Sequence, residues 1–495
     1  MKRRNFLTLT GTFTGGILLL PDFLYSFGTQ KNLIAGEQCL VFIQLNGGND
    51  GLNTFVPYED PLYYDLRPKI ALSKDAVIGK NQGMAFHPSL KDFATIQQNG
   101  DLSVIQNVGY PEPNRSHFRS QEIWQTASAS IEYKTEGWLG RYLDLQCNDH
   151  QPTAGINIDT IDNLALKGLE PNSITVKDPN RFKVKNLSDD AVKLSENPQL
   201  DFVRKIASSV TEGSEEIQKA LAKSTTENSY PKTALSKNLE WIARLIKGNL
   251  NSKVYYSSLG GFDTHDNQLG IHANKLTDLN DAVFAFYKDL KNASLLQNVT
   301  LVIFSEFGRR VKDNGRGTDH GTAAPVFFFG AAIQGGVIGT SPNLPLNATV
   351  NDQVPMQYDF RQLYATVMQD WLCLSPAESA SVLGSSFTKV PIFAAQSPLP
   401  LEGVSLTGQY YRGQSHLNCR AEQNGKYRWY ALEFSPDGIQ FTEVGRQTNT
   451  SLSATATYSY TYTASAPKMY YRIAAQNQQG KIDQLSRPAS AEECR

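Results

Sequence analysis

The chain has 495 residues, of which 40% are hydrophobic and 19% charged, with a formal net charge of −1. That length exceeds what one hydrophobic core usually serves, so two domains are expected. The near-neutral balance excludes a strongly basic nucleic-acid binder, and no RNA- or DNA-binding motif occurs.

The N-terminus, Met1-Lys2-Arg3-Arg4-Asn5-Phe6-Leu7, is basic and leads into an apolar, Gly/Thr-containing stretch through Leu20 and then Pro21. Residues 1–36 read as an export signal and leader, because the uncharged run is too short and too broken to span a membrane. Arg3-Arg4 followed by Phe6-Leu7 resembles a twin-arginine signal, with an ordinary secretory signal as the alternative. The mature protein is expected outside the cytoplasm, in the periplasm, at the cell surface or beyond, with no further membrane span. Five cysteines are too few for a disulfide scaffold. Cys419 and Cys494 are candidates to pair in an oxidising compartment, and Cys39, Cys147 and Cys373 read as buried small hydrophobes.

After the leader, Cys39–Leu45 reads as a central strand ending in Asn46-Gly47-Gly48-Asn49-Asp50, where the glycines permit a sharp turn and close approach. Leu102–Ile105 is a second strand, followed by a Pro-containing loop and Asn114-Arg115-Ser116-His117-Phe118. Phe118–Ser128 looks helical, which puts Ser116 just before a helix N-terminus. There Ser116 serves either as a plain cap or beside a bound anion, with Arg115, His117 and Arg119 around it. Leu235, Leu239, Ile242 and Ile246, and then Leu276, Leu279, Val283, Phe286 and Leu290, follow helical spacing and read as core faces. Between these helices, Val254–Ser257 is a strand that ends in Gly260-Gly261-Phe262-Asp263-Thr264-His265-Asp266.

Leu301-Val302-Ile303-Phe304 is a strand buried on both faces, ending on Ser305-Glu306-Phe307-Gly308-Arg309-Arg310. A Gly-rich loop with Asp319-His320-Gly321 and a further apolar run, Val326–Phe329, follow it, and residues 358–372 read as an amphipathic helix. Taken singly, Glu306 with Arg309 could be a surface ion pair and His320 a loop histidine. Together, the strand ends offer Asp50, Ser116, Asp263, His265, Glu306, Asp319 and His320, in the region where α/β sheets bind ligands. Carboxylates mixed with imidazoles suit zinc or a harder divalent ion such as manganese, magnesium or calcium. A hydroxyl held near such ions could attack phosphorus or sulfur.

The stretches LNGGNDGLN, NRSHF, GGFDTH, FSEFGR and DHGTAAPVFFFG, in this order, resemble the secreted bacterial family called domain of unknown function 1501 over roughly residues 38–385. The resemblance implies an alkaline phosphatase and sulfatase-like α/β fold, a three-layer sandwich around a mostly parallel sheet with a two-metal site. It implies Asp50, Asp263, His265 and His320 as metal ligands and Ser116 as nucleophile; Glu306 is expected as a further ligand, and Arg115, His117 and Arg309 as substrate contacts. Glu306-Phe307 stands where phosphatases carry Asp-His, which leaves the second metal position one imidazole short, and the 263–265 spacing is shorter than theirs.

Beyond a linker at 396–404 the periodicity changes to two. Tyr427–Phe434, Ile439–Val444, Tyr458–Thr463 and Met469–Ala475 alternate as in an antiparallel β-sandwich over 405–495. This part resembles fibronectin type III-like modules, with binding of a cell-surface partner as its expected role. The chain is therefore expected to comprise an α/β domain over 38–395 and a small all-β module. The expected function is an exported metal-dependent hydrolase of phosphate or sulfate esters, including glycan esters, with one or two ions. The rival is a non-catalytic surface or periplasmic binding protein that keeps the fold with one ion or none.

Overall fold

The structure is a computed structural model describing residues 38–146, 151–183, 198–225 and 229–394, together with 399–400, 404–411, 414–421, 427–435, 441–449, 456–463, 470–476, 482–485, 489–490 and 492–493. The export signal, Cys147, Cys494 and most of the 396–404 linker lie outside the described residues. The chain divides into two compact units, Leu33–Ala395 and a unit containing Gln396–Arg495.

The larger unit is built on a nine-stranded sheet. In chain order its strands are β1 Cys39–Asn46, β2 Leu102–Gly109, β3 Gly155–Asn157, β4 Ser173–Thr175, β5 Val254–Gly260, β6 Val299–Ser305, β7 Ala324–Phe329, β8 Gly336–Ile338 and β9 Tyr358–Asp359. The spatial order is β8-β2-β7-β6-β1-β5-β3-β4, with β9 alongside β2. β1 runs parallel to both β5 and β6. The exception is β7, which is antiparallel to both of its neighbours, β6 and β2. The sheet is thus mostly parallel, in a mixed α/β arrangement.

Period-two alternation divides each central strand between two cores. Cys39, Val41, Ile43 and Leu45 of β1 point into one hydrophobic cluster, and Leu40 and Phe42 into the other. The first cluster is closed by helices α1 (Lys91–Gln98), α4 (Pro198–Lys223), α5 (Ala234–Lys247) and α6 (Gln268–Asn292). Leu235, Leu239 and Ile242 of α5, with Leu276, Leu279, Val283, Phe286 and Leu290 of α6, are all buried there, as their helical spacing predicts. The second cluster is closed by α2 (His117–Thr126), α3 (Trp138–Gln146), α7 (Phe360–Thr366) and α8 (Pro376–Leu383). Helices on both faces of the sheet make three layers. Each large side chain buried in this way contributes about 1.5–3 kcal/mol by transfer from water, so the sheet is a stiff platform for the loops at its ends. Among the described residues no helix is long and apolar enough to cross a membrane.

The C-terminal unit consists of two small, mainly antiparallel sheets. Trp429–Ser435 pairs with Thr442–Thr448 and Tyr470–Gln476 in one, and Gln414–Ala421 pairs with Val404–Tyr411 and Ala456–Thr463 in the other. Leu406, Leu417, Cys419, Tyr430, Leu432, Tyr460, Tyr471 and Ile473 form one core drawn from both sheets. Two tyrosines stitch across it, Tyr460 Oη donating to the Tyr430 carbonyl at 2.8 Å and Tyr471 Oη to Ser415 Oγ at 2.7 Å. The Cys419 thiol is free and buried, and Cys39 is also buried. Cys373 departs from expectation: it is exposed, and its backbone is left-handed with φ at 61°.

Candidate metal centre

The parallel strands end in register, Asn46 opposite Gly260 and Leu45 opposite Ser305, so the loops leaving β1, β5 and β6 emerge side by side. The reversed direction of β7 brings the segment before it to the same end of the sheet. That segment pairs with the residues after β6: the Gly308 amide donates to the Thr322 carbonyl at 2.9 Å, the Arg310 amide to the Asp319 carbonyl at 3.0 Å, and the Gly321 amide to the Gly308 carbonyl at 2.7 Å. Glu306 and His320 are thereby held beside each other. Gly47 makes the third approach, since at φ +116° a Cβ on it would lie 2.4 Å from the Asp263 amide nitrogen. Only glycine tolerates both that backbone conformation and that contact.

Asp263 is the focus of the site. His320 Nε2 and His265 Nε2 each lie 3.1 Å from its Oδ1, and His117 Nε2 lies 3.5 Å from its Oδ2. The two imidazole nitrogens of His265 and His320 are only 3.0 Å apart. His117, Asp263 and His320 each offer one ligand atom, all within 4.8 Å of one another, and they form the one such group among the described residues.

Each imidazole is anchored by its other nitrogen. His117 Nδ1 meets Glu306 Oε1 at 2.8 Å, His265 Nδ1 meets Asp319 Oδ1 at 3.1 Å, and His320 Nδ1 meets the Arg115 carbonyl at 2.9 Å. These partners accept hydrogen bonds and hold an Nδ1–H, so each ring turns its Nε2 toward Asp263, as a donor where that nitrogen is protonated and as a lone pair where it is not. Three imidazole nitrogens and a carboxylate thus converge, an arrangement that either shared protons or a cation among them would satisfy. His117 Nε2 is in addition a buried atom that makes no hydrogen bond. Imidazoles oriented by an acceptor behind them are how metal sites are commonly built. On donor chemistry, His117, Asp263 and His320 fit a divalent ion, and His265 is placed to join them.

Charges in the site follow from the same contacts. Burial would raise the Glu306 carboxyl, but the bonds from His117 and the Gly47 amide (2.9 Å) outweigh it and keep the group ionised. Burial likewise opposes ionisation of Asp263, and the Arg309 and His320 bonds prevail, lowering its pKa to about 2. The Glu306 bond raises His117 above the usual imidazole value, whereas burial lowers His320.

The expected site residues therefore divide. Asp263, His265 and His320 come together as ligand candidates, and His117, expected to touch substrate, joins them. Glu306, expected as a ligand, instead spends its carboxylate on Gly47, His117 and Ser305 Oγ (3.0 Å) and orients His117. Phe307 lies under the rings of His117 and His320 with centroids at 4.9 and 5.0 Å, an apolar wall where the resemblance led to an imidazole. Arg309, expected to touch substrate, is turned into the protein. It is 1% exposed, and its nitrogens donate to the carbonyls of Gly48, Thr318, Gly47 and Phe262 and to Asp263 Oδ1. Arg119 is likewise consumed, by the Ser130 and Glu132 carbonyls and by Glu122. Arg115 remains exposed at the rim. Ser116 is exposed at the N-cap of α2, its side chain making no cap hydrogen bond.

Asp50 is fully buried and held by Arg67 Nη1 at 2.6 Å and by Gln268 Nε2, so it is not among the grouped ligand atoms. Beside it, His272 Nε2 meets Asn49 Oδ1 at 2.9 Å, and the His272 ring abuts that of His87. Sequence reading missed Arg67, Gln268, His272 and His87. His272 alone carried a signal, since it stands one turn before Leu276 on the apolar face of α6.

A family model described as "Protein of unknown function (DUF1501)" matches residues 103–389. No curated protein matches the chain in sequence. Among solved structures, one from Bacteroides thetaiotaomicron, reported under the metabolism of multiple glycosaminoglycans, is 10% identical with a TM-score of 0.36, over 91% of this chain and 88% of that one. A TAB5 alkaline phosphatase mutant with Mg bound is 9% identical with a TM-score of 0.30, over 72% of this chain and 100% of that one. A β-1,2-glucanase from Parabacteroides distasonis is 16% identical with a TM-score of 0.15 over 22% of this chain, and the match spans only 15% of that enzyme.

Proposed function

We propose that this chain, which belongs to the DUF1501 family whose model matches more than half of it, is an exported metal-dependent hydrolase of phosphate or sulfate esters. The observation that carries the reading is the convergence of anchored imidazoles on Asp263. Zinc or manganese would be held by His117, Asp263 and His320, with His265 beside them. When bound, the ion would lower the pKa of a nearby hydroxyl and offset charge developing on the ester oxygens.

Ser116 is the proposed nucleophile. It is exposed, free of a capping bond, and adjacent in the chain to His117. Its position at the N-terminus of a ten-residue helix places backbone N–H groups and the positive end of the dipole where an anionic ester would sit. Ser116 Oγ would attack phosphorus or sulfur, the alcohol would leave, and water would then release inorganic phosphate or sulfate. Arg115 at the rim would contact the ester or the glycan carrying it. Export would follow from the N-terminal segment, and the C-terminal unit would contact a cell-surface partner.

A second reading is favoured by the burial of Arg309 and Asp50, which removes two groups expected at the chemistry: a binding protein that keeps the ion for structure. Aryl phosphate and aryl sulfate turnover by the zinc- or manganese-loaded protein, compared with Ser116→Ala, separates the two. Turnover lost in the variant with ion content unchanged supports the hydrolase. No turnover by the loaded wild type, or equal turnover in the variant, sinks the nucleophile.

A further inference from the structure

Asp50 is expected as a metal ligand, yet the Arg67 cation already occupies its carboxylate. Arg67 Nη1 lies 2.6 Å from Asp50 Oδ2, and both side chains are 0% exposed. The guanidinium is fixed on every side: Nε donates to the Val311 carbonyl at 3.0 Å, Nη1 also to Asn53 Oδ1 at 2.9 Å, and Nη2 to the Arg310 carbonyl at 2.7 Å. Tyr63 Oη donates to the same Asn53 oxygen at 3.0 Å. Gln268 donates to Asp50 Oδ2 and accepts from Thr318 Oγ1 at 2.7 Å, which orients its amide.

We propose that the Arg67 guanidinium takes the place of the second metal ion, so that the centre binds a single divalent ion and Asp50 is not a ligand. The inference rests on reading the Asp263 cluster as a metal centre and goes beyond it by fixing the stoichiometry. Three physical arguments support it. First, too few donors remain. Asp50 Oδ1 is buried without a partner, but it is one atom, and zinc sites generally take three or more protein ligands. The carboxylate at the end of β6, Glu306, has both oxygens engaged by Gly47, His117 and Ser305. Asn49 Oδ1 is likewise engaged, by His272 Nε2 at 2.9 Å and Thr54 Oγ1 at 3.1 Å. Second, a dication placed against a buried guanidinium would be repelled in a medium that screens poorly. Third, arginine does not lose its proton in proteins and so cannot vacate the position the way a lysine or histidine could.

The test loads the purified full chain, signal removed by its own processing, with excess zinc or manganese, desalts it and counts ions per chain. The expected count is one in the wild type and one in Asp50→Asn. Because Asp50→Asn leaves Arg67 buried and uncompensated, the double variant Asp50→Asn/Arg67→Gln, which removes both charges, serves as the folding control and is also expected to keep one ion. Asp263→Asn is expected to lose it, and ion loading should raise the melting temperature of the wild type and the double variant alike. Two ions in the wild type, or loss of the ion in both Asp50 variants, would overturn the inference while leaving the metal centre standing. No ion in the wild type, with Asp263→Asn indistinguishable from it, would overturn the metal centre itself and the inference with it.

Discussion

Glu306→Gln probes the centre without touching a proposed ligand. Glu306 is 0% exposed, and its Oε1 is shared by the Gly47 amide at 2.9 Å and His117 Nδ1 at 2.8 Å. Glutamine has the same shape, and its carbonyl oxygen can still accept both bonds, so the loops should hold. What disappears is the charge behind His117. A charge-assisted hydrogen bond is worth about 1.5–3 kcal/mol and a neutral one about 0.5–1.5 kcal/mol, so roughly 1–1.5 kcal/mol of support for His117 is lost. That alone weakens ion binding about five- to tenfold, and losses on changing such orienting partners run from about tenfold to a hundredfold. Calorimetric titration with zinc or manganese, with circular dichroism to confirm the fold, measures it. Affinity unchanged within twofold would refute the role given to Glu306, and with it the tautomer that leaves His117 Nε2 bare.

His320→Ala removes one of the converging nitrogens and is expected to lower ion occupancy at least tenfold by elemental analysis; full occupancy would strike it from the ligand set. Gly47→Ala should destabilise the protein by about 1–3 kcal/mol in urea unfolding and reduce ion content, because the new methyl meets the Asp263 backbone; a neutral effect would mean that the approach of those loops is slack. Burial lowers His87 to about 4 and His272 to about 3, so both rings are neutral in the folded chain. Unfolded, they take up protons below about pH 6.5, so stability should fall as pH drops from there toward 4, by about 1.4 kcal/mol per unit for each ring. His272→Gln should flatten that slope; an unchanged slope would show that other groups govern the acid limb.

Much of this arrangement is legible in sequence because it is local. Cys39–Leu45, Val254–Ser257 and Leu301–Phe304 are short apolar runs followed within a few residues by glycine or a charged cluster, the pattern of a buried strand ending at a loop. Asp263-Thr264-His265 and Asp319-His320 declare their chemistry by composition. Direction is another matter. Val326–Phe329 reads the same forwards and backwards, so the reversal of β7 that delivers His320 could not be read from periodicity. Nor could the partners of the charged groups. Glu306 meets His117 across 189 residues, and Arg309 finds the Gly48 carbonyl across 261. An arginine bonded to backbone carbonyls has the same sequence signature as one facing solvent. The strand Gln414–Ala421 escaped notice for a related reason, since its inward positions are Ser415, Leu417, Cys419 and Ala421, three of them too small to mark a hydrophobic stripe. Arg67 sits in an ordinary polar turn of sequence, and only the folded chain shows it against Asp50.

The central claim is that a divalent ion sits on the nitrogens of His117 and His320 and the carboxylate of Asp263. X-ray absorption at the zinc edge of the loaded protein tests it most directly. The account predicts nitrogen and oxygen neighbours at about 2.0–2.1 Å, with outer-shell scattering from two or three imidazole rings that loses one ring in His320→Ala. A shell of oxygens alone, or a spectrum unchanged by that substitution, would contradict it.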